Sequence, residues 1–204
     1  MFLALHGQTK WNRDGRVQGQ LDSPLTEHGR SQAVTAARIL RSQDLVPGTF
    51  EIVCSPLGRT RETARIIAAE LGFDISAIRS DERLREVSLG QWDAHTRPEV
   101  EAGWPESLAG SNRYDWFFRS PDGETHDDVA QRLDGWLEAH TQHDRLVVVT
   151  HGIASRVLRG LYGRLSIEDA LRSEVARDAI FRLANGQIEK LSAGADQADG
   201  RRSS

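Results

Sequence analysis

The 204-residue chain has a single cysteine, Cys54, which excludes an internal disulfide and any site built from several cysteine ligands. It also lacks an excess of basic residues, because 26 Lys and Arg against 30 Asp and Glu give a net charge of −4. The net charge therefore provides no electrostatic attraction to nucleic acid or to an anionic membrane. No apolar run is long enough to span a membrane, and no basic leader follows Met1. We expect a cytoplasmic protein that binds neither nucleic acid nor membrane.

Motifs of several enzyme classes are missing too. The chain contains no His-Glu-x-x-His, no Gly-x-Ser-x-Gly, and no glycine spacing of a P-loop or a dinucleotide site. Cys54 lies inside an apolar run, which is typical of an inert core thiol rather than a nucleophile. A hydrolase with two histidines on a metal stays a disfavoured alternative. We expect no metal and no cofactor.

Short apolar segments alternate with segments of helical periodicity. Strands are predicted at residues 2–5, 52–54, 146–149, 179–184 and 187–191, the last two joined by a turn at Asn185-Gly186. Helices are predicted after Thr26, Leu57 and Thr125 and over residues 153–162. This alternation predicts an α/β fold whose sheet is covered on both faces. Residues 1–191 are expected to form one domain, and residues 192–204, which lack large apolar side chains, a disordered tail.

Three predicted strands end in polar, potentially reactive residues. His6 and His151 each follow an apolar strand and precede a glycine, and Ser55 follows a third strand with Arg59 four residues later. Ligands of open α/β sheets bind beyond the carboxyl ends of the strands, so these side chains are expected to converge. Phosphoryl transfer needs a nucleophile, positive charge and an acid, which imidazole, guanidinium and a carboxyl such as Glu86 can provide.

Six segments follow one another in an order that resembles a known family. They read LHGQTKWN at 5–12, QGQLDSPLT at 18–26, SPLGRTRETA at 55–64, LRE with a later glycine at 84–90, PDGET at 121–125 and VTHG at 149–152. The set, which spans about residues 2–190, resembles the motifs of the histidine phosphatase superfamily, in its phosphoglycerate-mutase-like branch. The resemblance implies a three-layer sandwich with a mostly parallel central sheet flanked by helices.

The resemblance also implies roles for particular residues. His6 would attack phosphorus and become phosphohistidine, while Arg59 and His151 would bind the phosphoryl oxygens. Glu86 would protonate the leaving oxygen and then activate water. Contacts to the substrate or its phosphate are implied for Asn12, Gln18, Gly19 and Gly152. The expected partner is a small-molecule phosphate ester, and whether the chain forms a homodimer is left open.

One position departs from the family pattern. The residue before the nucleophile is an arginine in the family and Leu5 here. Losing a charge-assisted contact to phosphate should weaken binding by about 1.5–3 kcal/mol. Five nearby bases are candidates to replace it: Lys10, Arg13, Arg16, Arg61 and Arg85. We expect a hydrolase, because the other catalytic residue types are present, and whether Leu5 reduces its activity is left open. A noncatalytic protein that binds phosphate or a phospholigand is the alternative.

The segment between Glu86 and His151 bears on the substrate. Residues 87–150 contain five arginines, no lysine and twelve acidic residues, which give a net charge of −7. A segment with this charge would repel a strongly anionic substrate. The family's mutases carry a longer, basic insertion here, so mutase activity is disfavoured. Six aromatic residues could form an apolar wall: Trp92, Trp104, Tyr114, Trp116, Phe117 and Phe118. We expect a small, modestly charged or aromatic phosphate ester.

Overall fold

The computed structural model describes residues 1–46, 48–140 and 145–194, and these residues form one six-stranded sheet. The strands are β1 Phe2–Leu5, β2 Glu51–Cys54, β3 Arg79–Ser80, β4 Leu146–Thr150, β5 Ala179–Ala184 and β6 Gln187–Ser192. Their order is β3-β2-β4-β1-β5-β6. The first four of that order run parallel, whereas β5 is antiparallel to β1 and β6 to β5. The predicted, mostly parallel sheet is confirmed.

Seven α-helices connect the strands within the described residues. They are α1 Lys10–Arg13, α2 Glu27–Arg41, α3 Gly58–Leu71, α4 Arg97–Gly103, α5 His126–Ala139, α6 Gly152–Gly163 and α7 Ile167–Arg172. Thr26 and Thr125 cap α2 and α5 as predicted. Helix α1 lies in a segment expected to be a loop. It forms because Thr9 and Asn12 exchange side-chain and backbone hydrogen bonds in a capping box.

The sheet separates two apolar cores, which makes the three-layer arrangement. Alternate residues of β1 face opposite sides, with Phe2 and Ala4 in the core beneath α2 and α3. Leu3 belongs to the other core, which packs under α5 and α6 around Leu133 and Trp136. In the part of the chain that the structure describes, no helix is both long and apolar enough to cross a membrane.

The carboxyl-terminal hairpin turns at Asn185 and Gly186, both with positive φ, as the sequence predicts. Strand β6 ends at Ser192, one residue inside the segment expected to be disordered, because Ser192 pairs with Ala179. Pairing of this kind uses backbone groups and needs no large apolar side chain. The rest of the predicted tail, residues 195–204, lies outside the described residues.

The loop after β1 is held by a close backbone contact with α2. A Cβ added to Gly7 would lie 2.1 Å from the carbonyl oxygen of Gly29, and one added to Gly29 would lie 2.1 Å from that of Gln8. Only glycine fits at both positions. The contact therefore fixes the residues that immediately follow the end of β1.

We expect Gly29→Ala to lower the free energy of unfolding by about 1–3 kcal/mol, because the new methyl group overlaps a backbone carbonyl. Gly135→Ala is the matched control, since a Cβ on Gly135, inside α5, would meet no atom within 4 Å. The control should be stabilised by about 0.5–1 kcal/mol through helix propensity alone. Urea denaturation measures both changes, and equal behaviour of the two variants would contradict the close contact.

Candidate active site

The register of the sheet brings the two predicted histidines together. Strands β1 and β4 pair Leu5 with Thr150, and the backbone N–H of His6 donates to the Thr150 carbonyl at 3.0 Å. The ring centroids of His6 and His151 are consequently 5.2 Å apart. Ser55 follows the neighbouring strand β2, and its backbone N–H donates to the Val149 carbonyl at 3.0 Å. The three predicted strand ends therefore converge at one edge of the sheet.

A cavity of about 240 Å³ opens at this edge. Seven of the eight predicted site residues line it: His6, Asn12, Gln18, Gly19, Arg59, Glu86 and Gly152. The eighth, His151, is fully buried beside the His6 ring and does not reach the cavity wall. A larger cavity of about 670 Å³ lies at the opposite edge, near Met1 and Arg145, and includes none of these residues.

A hydrogen bond and burial keep one ring nitrogen of His6 unprotonated. Its Nδ1 donates a hydrogen bond to the Gly7 carbonyl at 2.8 Å, which leaves the lone pair on Nε2 in the neutral ring. Burial holds the pKa of His6 well below its usual value, and the positive charges of Arg59 and Arg177 lower this pKa further. The imidazole is therefore neutral at pH 7, the form in which its nitrogen can attack phosphorus.

Both ring nitrogens of His151 already have partners. Nδ1 accepts from Nε of Arg59 at 3.2 Å, so the neutral ring carries its proton on Nε2, which lies 2.8 Å from Oγ of Ser55. Burial holds the pKa of His151 well below its usual value, with a further contribution from the charge of Arg59. A direct bond from His151 to a phosphoryl group would have to replace one of these two, so that role stays a prediction.

The guanidinium of Arg59 is almost fully occupied. Nη1 donates to the Leu21 carbonyl at 2.6 Å and to Asp22 Oδ1 at 2.9 Å, and Nη2 donates to the Gly19 carbonyl at 2.7 Å. With the bond from Nε to His151, four of the five N–H groups have acceptors. Arg59 therefore fixes the 19–22 loop and His151, and has one N–H left for a ligand.

Glu86 sits at the amino end of α6. Its Oε1 accepts from the backbone N–H groups of Ala154 at 2.9 Å and Val87 at 3.0 Å, and its Oε2 accepts from Ile153 at 3.1 Å. These bonds hold the carboxyl group at the cavity wall. Since Oε2 accepts only one of them, it keeps a lone pair that can carry a proton.

Three further predicted contacts come from helix α1 and the loop that follows it. Asn12 Oδ1 accepts from Thr9 in the capping box, and Gln18 Oε1 accepts from the Thr9 hydroxyl at 2.6 Å. Gly19 has φ +47°, and a Cβ there would lie 2.0 Å from Oδ1 of Asp93. Burial raises the pKa of Asp93 to about 6. Gly19 is thus required both by its backbone conformation and by the packing of this carboxyl group.

Arginines that the sequence did not indicate also line the cavity. Of the five candidate bases for the role of Leu5, Arg16 lines the cavity, and the other four do not. Arg156 and Arg177 line it instead. Arg156 lies one helical turn after Gly152, so its spacing on the predicted α6 could have revealed it. Arg177 follows no periodic pattern, and no sequence signal indicates it.

The charge of the 87–150 segment did not predict the charge of the cavity. Among the described residues of that segment, Val87, Leu89 and Phe117 line the cavity, and none of the acidic ones does. Four arginines and one glutamate line the cavity, so its field attracts anions. The predicted aromatic wall is likewise reduced to Phe117, since Trp92 and Trp116 are buried and stack on each other.

Comparison with known proteins agrees with this geometry. The model of the histidine phosphatase superfamily (branch 1) matches residues 1–189. The chain belongs to this superfamily. The suspected resemblance is confirmed, and the superfamily's phosphatases and phosphoglycerate mutase-like proteins support an enzyme of this kind.

One curated relative and two solved structures illustrate what this chain is similar to. The probable phosphoglycerate mutase GpmB of Salmonella arizonae is 39% identical over 162 residues, which cover 76% of this chain and 70% of the relative. Bacillus stearothermophilus YhfR is 30% identical with a TM-score of 0.75, over 95% of each chain. Mycobacterial glucosyl-3-phosphoglycerate phosphatase Rv2419c, solved in complex with VO3, is 30% identical with a TM-score of 0.76, over 94% and 96%.

The lowered pKa of His6 makes stability depend on pH. Below its usual value near 6.5 the unfolded chain binds a proton at His6 that the folded chain does not, so stability falls as the pH falls. In the wild type, His6 should lower the free energy of unfolding by up to about 1.4 kcal/mol for each pH unit below that value. We expect His6→Gln to lack this contribution. Urea denaturation of both proteins at pH 7 and pH 5 measures it. His28→Gln, at an exposed position on α2, is the control, and parallel pH profiles of wild type and His6→Gln would contradict the assignment.

Proposed function

We propose that this superfamily member is a metal-independent phosphatase that hydrolyses small phosphomonoesters through a phosphohistidine intermediate. The observation that carries the proposal is the neutral, buried His6, whose Nε2 lone pair is free at a cavity lined by arginines. Glu86 lines the same cavity and can hold a proton on Oε2. The three requirements of phosphoryl transfer thus occur together.

The reaction takes two steps. Nε2 of His6 attacks phosphorus, the bond to the ester oxygen breaks, and the leaving oxygen takes a proton from the Glu86 carboxyl group. The Glu86 carboxylate then removes a proton from water, whose oxygen attacks phosphorus. The bond to His6 breaks, and inorganic phosphate leaves. In this proposal Arg59, Asn12 and the backbone N–H of Gly152, which line the cavity, stabilise the charge on the phosphoryl oxygens.

The lining of the cavity supports a small ester. A volume of about 240 Å³ is modest, and its apolar part is formed by side chains such as Val17, Leu89 and Phe117. We therefore propose a small alcohol portion that is aromatic or carries modest charge. Efficient hydrolysis of large or multiply phosphorylated esters, with no turnover of small aryl or alkyl esters, would contradict this substrate class.

A second candidate function, phosphoglycerate mutase, is favoured by the four arginines and by the name of the GpmB relative. A mutase returns the phosphoryl group from His6 to a substrate hydroxyl, whereas a phosphatase passes it to water. Following 3-phosphoglycerate by ³¹P NMR separates the two, because the mutase forms 2-phosphoglycerate and the phosphatase releases phosphate. Transfer without release would overturn the hydrolase proposal.

We expect Glu86→Gln to lower kcat/KM for an alkyl phosphate by about 10²–10⁴-fold, because the leaving alkoxide loses its acid. The loss should be much smaller for p-nitrophenyl phosphate, whose leaving group needs little protonation. Glu82→Gln, at an exposed position four residues away, is the matched control and should leave both rates unchanged. Equal losses on both esters would contradict a role for Glu86 as the acid.

We expect acid-labile, base-stable label on wild-type protein quenched during turnover of a ³²P-labelled ester, and none on His6→Ala. The reason is that the N–P bond of phosphohistidine survives base and breaks in acid. Hydrolysis above the His6→Ala level distinguishes a phosphatase from a protein that only binds phosphate. Equal turnover by the two proteins would exclude the covalent mechanism.

A further inference from the structure

The position that lacks an arginine is buried beside the start of β5. Leu5 ends β1 and is 3% exposed. The antiparallel register of β1 and β5 pairs Leu3 with Phe181, and continuing it by two residues places Leu5 opposite Ala179. Residues that enter β5 just before Ala179 therefore pass the end of β1, where the nucleophile begins.

Arg177 lies two residues before Ala179 and lines the cavity together with His6. Its Nη2 donates to Oδ1 of Asn12 at 3.2 Å, which ties its guanidinium to α1. Its Nε is buried and has no hydrogen-bond partner among the described residues. Buried donors are normally satisfied, so this unpaired N–H, on a residue that lines the cavity, points to a ligand that accepts from it.

Arg16 and Arg59 make more hydrogen bonds than Arg177, and the charge of Arg156 is not among those that lower the pKa of His6. Arg59 has one N–H left, and Nη1 of Arg16 donates to the Ala94 carbonyl at 2.8 Å and to Glu99 at 3.1 Å. Nε of Arg156 donates to the Ser173 carbonyl at 2.8 Å. Arg59 and Arg177 are the arginines whose charge lowers the pKa of His6, which places Arg177 in the electrostatic field of the nucleophile.

We propose that Arg177 supplies the phosphoryl-binding guanidinium that position 5 lacks. The assignment rests on the proposed function, since it names a further group that holds the phosphoryl oxygens of the same substrate. Arg177 would donate from Nε to the anion, while its bond to Asn12 keeps the guanidinium in place. The positive charge would then enter the site from the segment before β5 instead of from β1.

Binding of inorganic phosphate and of vanadate, measured by calorimetry on the full chain, tests this directly. We expect Arg177→Met to weaken both by about tenfold to a hundredfold, the effect of removing a charge-assisted bond, and Arg177→Lys to recover part of it. Arg182→Met is the matched control. It removes an exposed arginine of β5 that pairs with Glu189, and should change neither affinity.

A pH profile separates phosphate binding from a merely structural role. Without the charge of Arg177, His6 should protonate at higher pH, so the acid limb of kcat/KM should move upward in Arg177→Met. The control should keep the wild-type profile. A folded Arg177→Met that binds phosphate as the wild type does, with an unshifted profile, would overturn the assignment and leave the hydrolase proposal intact. If Arg177→Met weakens phosphate binding but the wild type neither hydrolyses esters nor forms phosphohistidine, the assignment of Arg177 stands and the hydrolase proposal fails.

A complementation experiment tests whether the two positions are equivalent. Leu5→Arg introduced into Arg177→Met should restore most of the phosphate affinity, because the guanidinium returns from β1. A folded double variant with no recovery would contradict the shared position. Because a buried arginine can destabilise the strand, circular dichroism checks folding first, and the single variants decide the question if the double variant does not fold.

Discussion

The parallel register of β1 and β4 is the constraint on which the site depends. It places His6 one residue beyond a fully buried strand and brings its ring to 5.2 Å from that of His151. A slip of one residue would exchange the faces of Phe2, Leu3 and Ala4 between two cores and move His6 out of position. The packing of both cores therefore determines where His6 lies.

Burial at the end of β1 and the charge of the neighbouring arginines act in the same direction. Both disfavour a protonated His6, so the ring keeps its lone pair, and the same cations favour a bound phosphoryl group. A charged Glu86 carboxylate acts in the same direction, since it favours the charged forms of Arg59 and Arg177. The arginines thus stay charged around a neutral His6.

Local signals predicted most of the fold and part of the site. Strands, caps and the Asn185-Gly186 turn follow from patterns within a few residues, and the motifs located His6, Arg59 and Glu86. Arg177 could not be found this way, because only the antiparallel pairing of β5 with β1 brings its segment to the cavity. The net charge of residues 87–150 wrongly indicated a cavity unsuited to anions, for a related reason. The composition of a segment does not say which of its side chains face a cavity.

Leucine at position 5 stabilises strand β1, and this bears on why the proposed phosphoryl-binding cation is Arg177 and not a residue of β1. With Leu5, every residue of β1 is apolar and buried, and a buried leucine side chain stabilises a fold by about 1.5–3 kcal/mol. A guanidinium from the irregular segment before β5 reaches the cavity without interrupting that strand. Its orientation depends on Asn12, which Thr9 holds in the capping box of α1. The short helix that periodicity did not predict therefore links the backbone after His6 to Arg177, the cation that we propose for the phosphoryl group.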